Sequence, residues 1–94
     1  MPDMPSAELL EATHAFPCSY MFKGIGDNDM HLVARVRDAI RQEVADEYEP
    51  AVSIRRSSSG RHLCVTIEPR VTDAAQVLAI YERIYAIDGL VMVW

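Results

Sequence analysis

The side chains with most chemical capacity in this 94-residue chain are two cysteines, three histidines and a cluster of arginines. Cys18 and Cys64 stand far apart, with no C-x-x-C and no second Cys/His pair beside either. Zinc-finger and thioredoxin-like chemistry therefore lack their ligands or their redox partner. His14 and His31 are isolated and have no metal-ligand spacing. The densest cluster is Arg55, Arg56, Arg61 and His62: residues 50–70 hold four arginines against Glu68 alone, a local +3 in a chain of net charge −5. Cations around a loop attract carboxylate or phosphate. The competing reading is that arginines on a solvated edge strand only discourage edge-to-edge pairing. Lys23, the one lysine, sits in Phe22-Lys23-Gly24-Ile25-Gly26, just ahead of Asp27-Asn28-Asp29. A strand-to-helix turn there offers free helix N–H groups to an anion. The aspartates put negative charge at the same place, so Lys23 can equally serve to screen them.

The elements that must position these residues follow from periodicity. Residues 1–14 open with two prolines and are expected to form a flexible tail. Ser6 can cap a short helical turn over 7–12, with Leu9 and Leu10 docking on the body. From Phe16 the pattern has period two, placing Cys18, Tyr20 and Phe22 on one side and Met21, Lys23 and Ile25 on the other. Gly24 and Gly26 release the chain into a turn, and Leu32, Val33, Val36, Ile40 and Val44 then recur at helical spacing. Val52 and Ile54, then Leu63, Val65 and Ile67, alternate with polar residues around Ser57-Ser58-Ser59-Gly60, which reads as a β-hairpin. Thr72-Asp73 caps a second helix with the stripe Ala74, Val77, Leu78, Tyr81, Ile84 and Tyr85, and Leu90–Trp94 forms a last strand.

Two helices separated by a hairpin, with strands at both ends, give a ferredoxin-like βαββαβ sandwich of α+β class. Right-handed crossovers place the first and third strands in the middle, so the four-stranded antiparallel sheet has the order 4-1-3-2 with both helices on one face. Residues 15–94 form that single domain, since so short a chain cannot support a second core. Strand parity puts Cys18 and Cys64 on opposite faces, which opposes a disulfide between them. An acylphosphatase on this scaffold needs an arginine in the loop after the first strand, where Gly24-Ile25-Gly26-Asp27-Asn28 has none. The third strand lacks the aromatic pattern of an RNA-recognition motif, and a pI near 5.0 argues against nucleic acid. No spacing supports a nucleophile–base pair or a carboxylate dyad. No apolar run approaches the roughly 18 residues that span a bilayer, and the N-terminus has no signal-peptide pattern, so the expected compartment is cytoplasmic.

Phe16-Pro17-Cys18, Phe22-Lys23-Gly24-Ile25-Gly26, Ser58-Ser59-Gly60 before Leu-Cys-Val-Thr-Ile, and the ending Val91-Met92-Val93 together resemble the YbeD-like family. The likeness runs over residues 9–94 in order and spacing. These are small bacterial proteins often labelled lipoate-regulatory, and the resemblance implies a fold similar to small-molecule-sensing ACT domains, without enzymatic activity or catalytic residues. His62 and Cys64 depart from the Tyr and Ser that the family often carries. The expected function is a non-catalytic regulatory or adaptor domain, without cofactor or metal. It would act on a protein partner, a second copy included, through the open sheet face or the edge strand ending at Trp94. The alternative is a sensor for a small carboxylate, lipoate among the candidates. The expected surface comprises Lys23, Gly24, Gly26, Arg55, Arg61, His62 and Trp94, with Met21, Ile25, Cys64 and Thr66 on the same open face.

Overall fold

The computed structural model describes residues 4–27, 30–44 and 50–93. Its elements in chain order are α1 (Ala7–Thr13), β1 (Cys18–Ser19), β2 (Phe22–Asp27), α2 (Met30–Arg41), β3 (Ala51–Arg56), β4 (His62–Glu68), β5 (Arg70–Val71), α3 (Ala74–Tyr85) and β6 (Leu90–Val93). Successive side chains of a strand point to opposite faces, and β4 obeys this without exception: Leu63, Val65 and Ile67 are buried, while His62, Cys64 and Thr66 stay half-buried on the other side. In β2 the inward positions are Phe22, Gly24 and Gly26. The sheet order is β3-β4-β2-β6 and every neighbour is antiparallel. This is the expected 4-1-3-2 order, with the first and third long strands at the centre.

The buried residues of all three helices belong to one core on the Phe22 and Val65 side. From α2 come Leu32, Val36, Ala39 and Ile40, and from α3 come Ala74, Val77, Ile80, Tyr81 and Ile84. Fully burying one such large apolar side chain contributes about 1.5–3 kcal/mol. The start of α3 is fixed reciprocally: Asp73 accepts from the Gln76 backbone N–H at 2.8 Å, and Gln76 Oε1 accepts from the Thr72 N–H at 2.8 Å. Beyond α2 the chain is tied to α3 where Gln76 Nε2 donates to the Glu43 carbonyl at 2.6 Å and Arg83 pairs with Glu43 and Gln42.

Two features depart from the expected pattern. The period-two stretch beginning at Phe16 is not one strand. Cys18 and Ser19 form β1 and pair with β5 in a separate two-stranded ribbon, after which Tyr20 donates to the Pro69 carbonyl and the main sheet begins at Phe22. Gly24 and Gly26 do not end the strand, which runs on to Asp27. The segment ahead of β1 also contributes to the core. Ser6 caps α1 by accepting from the Leu9 N–H, as expected, and Leu10 is only 2% exposed within the shared core.

Behind β2 an aromatic cluster fills the space between ribbon and helix. Phe22 meets Tyr81 edge to face with centroids 4.9 Å apart, and the Tyr20 and Tyr81 hydroxyls lie 3.1 Å apart. Burial pushes the Tyr81 phenol well above its ordinary range, and its hydrogen bond to Tyr20 adds to the shift.

Candidate functional site

The register of the three strands β2, β4 and β3 assembles the open face row by row. Ile25 stands opposite Cys64, which stands opposite Arg55; Lys23 stands opposite Thr66, which stands opposite Ser53; Asp27 stands opposite His62. Directly opposed residues share a face, so the first row carries an apolar residue, a thiol and a guanidinium side by side. A hollow of about 210 Å3 opens there, lined by Ile25, Arg55, Arg56, Ser57, His62 and Cys64.

The hairpin shapes the rim of this hollow. Gly60 takes φ +75°, the left-handed conformation that a residue without Cβ adopts freely, and its N–H donates to the Ser57 carbonyl at 2.9 Å. Ser57 Oγ accepts from the His62 N–H at 3.1 Å, and the Ser57 N–H donates to the His62 carbonyl at 3.0 Å. The turn thus holds His62 and Arg55 at the same end of the sheet. Ser57 was not singled out from the sequence, because a turn serine shows its hydrogen-bonding partner only once the hairpin is closed.

Of the residues expected to form a surface, Arg55 and His62 line the hollow together with Ile25 and Cys64. Lys23 lies on the same face, one row along, and four residues from Asp27, which at a strand's rise is about 13 Å. It therefore does not lie beside the Asp27 carboxylate. Arg61 is exposed at the hairpin and Met21 just outside β2, neither lining the hollow. Gly24 and Gly26 face the helices and are buried. A Cβ at Gly26 would lie 2.6 Å from the Gly89 carbonyl oxygen and 2.8 Å from Leu32 Cδ2, so this glycine is a packing requirement. Trp94 falls outside the described residues, as do Asn28 and Asp29. Both cysteines carry free thiols: Cys64 is on the open face, and Cys18 packs against the core from the separate ribbon of β1 and β5, so the parity of the main strand does not extend to it.

Among the described residues no group of His, Cys, Asp and Glu is placed to hold a metal ion, and no helix is long and apolar enough to cross a membrane.

A family model described as "Protein of unknown function (DUF493)" matches residues 11–94. The chain belongs to this family. The YbeD-like resemblance of its motifs points to the same group: curated DUF493 relatives carry the name UPF0250 protein. The one from Shewanella amazonensis is 36% identical over 75 residues, covering 80% of this chain and 83% of its own. The one from Shewanella sediminis is 32% identical over 90 residues, 96% of each chain. Among solved structures, protein HP0495 from H. pylori matches with TM-score 0.72 at 14% identity, over 100% of this chain and 98% of that one. The ACT domain of the GTP pyrophosphokinase of Chlorobium tepidum matches with TM-score 0.57 at 8% identity, over 81% and 94%. At those identities the two structures speak for the fold alone. This DUF493 chain has an ACT-like, ferredoxin-like sandwich.

Proposed function

We propose that this chain is a non-catalytic regulatory or adaptor domain that works by contacting a protein partner through the open face and free edge of its sheet. The observation that carries the reading is the sidedness of the molecule. Every buried helical residue belongs to one side of the sheet, while the other side presents Lys23, Ile25, His62, Cys64 and Thr66, all half-buried, with Arg55 exposed beside them. A mixed apolar and charged sheet face that no helix covers among the described residues suits contact with another protein. The ACT-like fold of the neighbours agrees with a regulatory role.

The second reading, a sensor for a small carboxylate, draws on the meeting of Arg55 and His62 in one hollow. Its volume of about 210 Å3 falls below the roughly 300 Å3 at which ligand pockets usually begin, which favours surface contact over enclosure.

Affinity capture from the native bacterial cytosol tests the leading reading, comparing the wild-type chain with Ile25→Asp. The expected result is a partner held by the wild type and lost by the variant. Equal recovery on both would remove the open face from the contact. For the second reading, thermal shift is measured against lipoate and free amino acids at millimolar concentration. A rise in Tm that Arg55→Ala abolishes would establish it, and no shift with any of them would sink it.

A further inference from the structure

The two thiols of the chain are both half-buried, and they differ in what surrounds them. Cys18 lies in the ribbon opposite the fully buried Val71 and packs against the core. Cys64 lies in the middle of the open face, between Ile25 on β2 and Arg55 on β3. Directly opposed residues have Cβ atoms about 4.5–5.5 Å apart, which brings a side chain as long as arginine within reach of the sulfur. His62 stands on the same face two positions along β4, about 7 Å away at a strand's rise. All four line the hollow of about 210 Å3. Among the described residues neither the Cys64 thiol nor the Arg55 guanidinium has an ion-pair or hydrogen-bond partner.

A nucleophilic sulfur, an unengaged guanidinium and an open cavity therefore meet at one place. Cysteines that exchange readily with disulfides sit in electropositive, partly exposed surroundings. An arginine presents a planar fork of donors that matches a carboxylate in two places. A disulfide that carries a carboxylate is thus held by Arg55 while its sulfur lies near the thiol, and positioning of this kind speeds a two-body reaction. Size agrees with this use. The hollow is below the roughly 300 Å3 at which pockets for whole ligands begin, but only one end of such a reagent has to enter it.

We propose that Cys64 is a site of thiol–disulfide exchange with small disulfides that carry a free carboxylate, and that Arg55 holds the carboxylate. The Cys64 thiol gives its proton to solvent, and its sulfur forms a bond to one sulfur of the reagent. The reagent's own S–S bond breaks, and its other half leaves as a thiolate that takes up a proton. Cys64 is oxidised to a mixed disulfide and one half of the reagent is reduced to a thiol, so the disulfide itself is the oxidant. The exchange goes beyond reversible carboxylate binding in the same hollow and does not depend on a protein partner.

The test incubates the reduced full chain with glutathione disulfide at neutral pH and follows adducts at both cysteines by peptide mapping in a mass spectrometer. Cys18 serves as the control within the same molecule. Adduct is expected at Cys64 about tenfold or more faster than at Cys18. Arg55→Ala should slow the Cys64 reaction about tenfold with glutathione disulfide and leave it within about twofold with the uncharged bis(2-hydroxyethyl) disulfide. Arg55→Lys should restore part of the lost rate. Arg55 is exposed, and far-UV circular dichroism confirms that the variants fold. Equal rates at the two cysteines overturn the proposal, as does an Arg55→Ala chain that reacts with glutathione disulfide as fast as the wild type. A loss of the same size with both reagents also overturns it, because Arg55 would then act on the thiol or its surroundings and not on the carboxylate. A shift in Tm with no adduct on the denatured chain would leave reversible binding in its place.

Discussion

The two long helices cover the same sheet and seal it unequally. Ala74, Val77, Ile80, Tyr81 and Ile84 of α3 are all buried, and Leu78 and Tyr85 pack against the same core. On α2 the buried line is Leu32, Val36, Ala39 and Ile40, and next to it the helix turns to Ala34, Arg37 and Arg41. A helix covers a sheet only as widely as its apolar stripe. The α3 stripe is wide and joins the Tyr20 and Phe22 rings, so its half is closed. The α2 stripe is narrow, so β3 lies partly outside it and Ile54 meets solvent. The difference lies in side-chain choice on one flank and needs no change in topology.

That contrast predicts a gradient of sensitivity. Ile80→Ala in α3 should have the largest effect, a loss of about 2–5 kcal/mol in urea unfolding, because a fully buried aliphatic chain leaves a cavity among tightly packed neighbours. A loss of under about 1 kcal/mol would mean that the α3 half is no better packed than the α2 half. The next effect depends on pH. Burial raises the Tyr81 phenol, so the folded chain keeps a proton that the unfolded chain releases above about pH 10. The stability from this group is fully present below that pH and falls as pH rises beyond it. Tyr81→Phe should flatten that fall in unfolding curves taken on either side of about pH 10; an unchanged slope would remove Tyr81 as its origin. The smallest effect is expected at the open corner, where Ile54→Ser should change stability by no more than about 0.5 kcal/mol. A larger loss would show that Ile54 packs as core in solution.

Much of this fold could be read from residue order, because its long elements repeat their pattern. Leu63, Val65 and Ile67 announce a central strand, and Leu32, Val36 and Ile40 announce a helix, since each pattern recurs at least three times. β1 and β5 have two residues each, too few to show any period, so the ribbon that carries Cys18 merged with the strand after it. Ile80 was outside the α3 stripe as read, although a stripe that includes Val77 and Ile84 has room for it between them. The open-face residues Ile25, Arg55, His62 and Cys64 followed from parity. Gly24 and Gly26 were expected at the surface because they read as a turn out of the strand; with β2 running on to Asp27, the parity that turns Lys23 and Ile25 outward turns both glycines inward. The exposure of Ile54 was hidden too, because its place opposite Val65 in the register gives it the parity of a core residue.

Gly26 has one more consequence. Its missing side chain lets the Gly89 carbonyl come close, and that carbonyl accepts from the Asp27 N–H at 3.1 Å. This main-chain bond moors the start of the last strand, and Leu90 and Val93 add side-chain packing against the core. The register of the last strand along β2 shifts at this same point, between Ile25 and Gly26. Val91, 65% exposed, can then vary widely without shifting the strand. At this end of the sheet the fold places an intolerance of substitution at Gly26 and leaves Val91, on the outer surface of the final strand, open to evolutionary change.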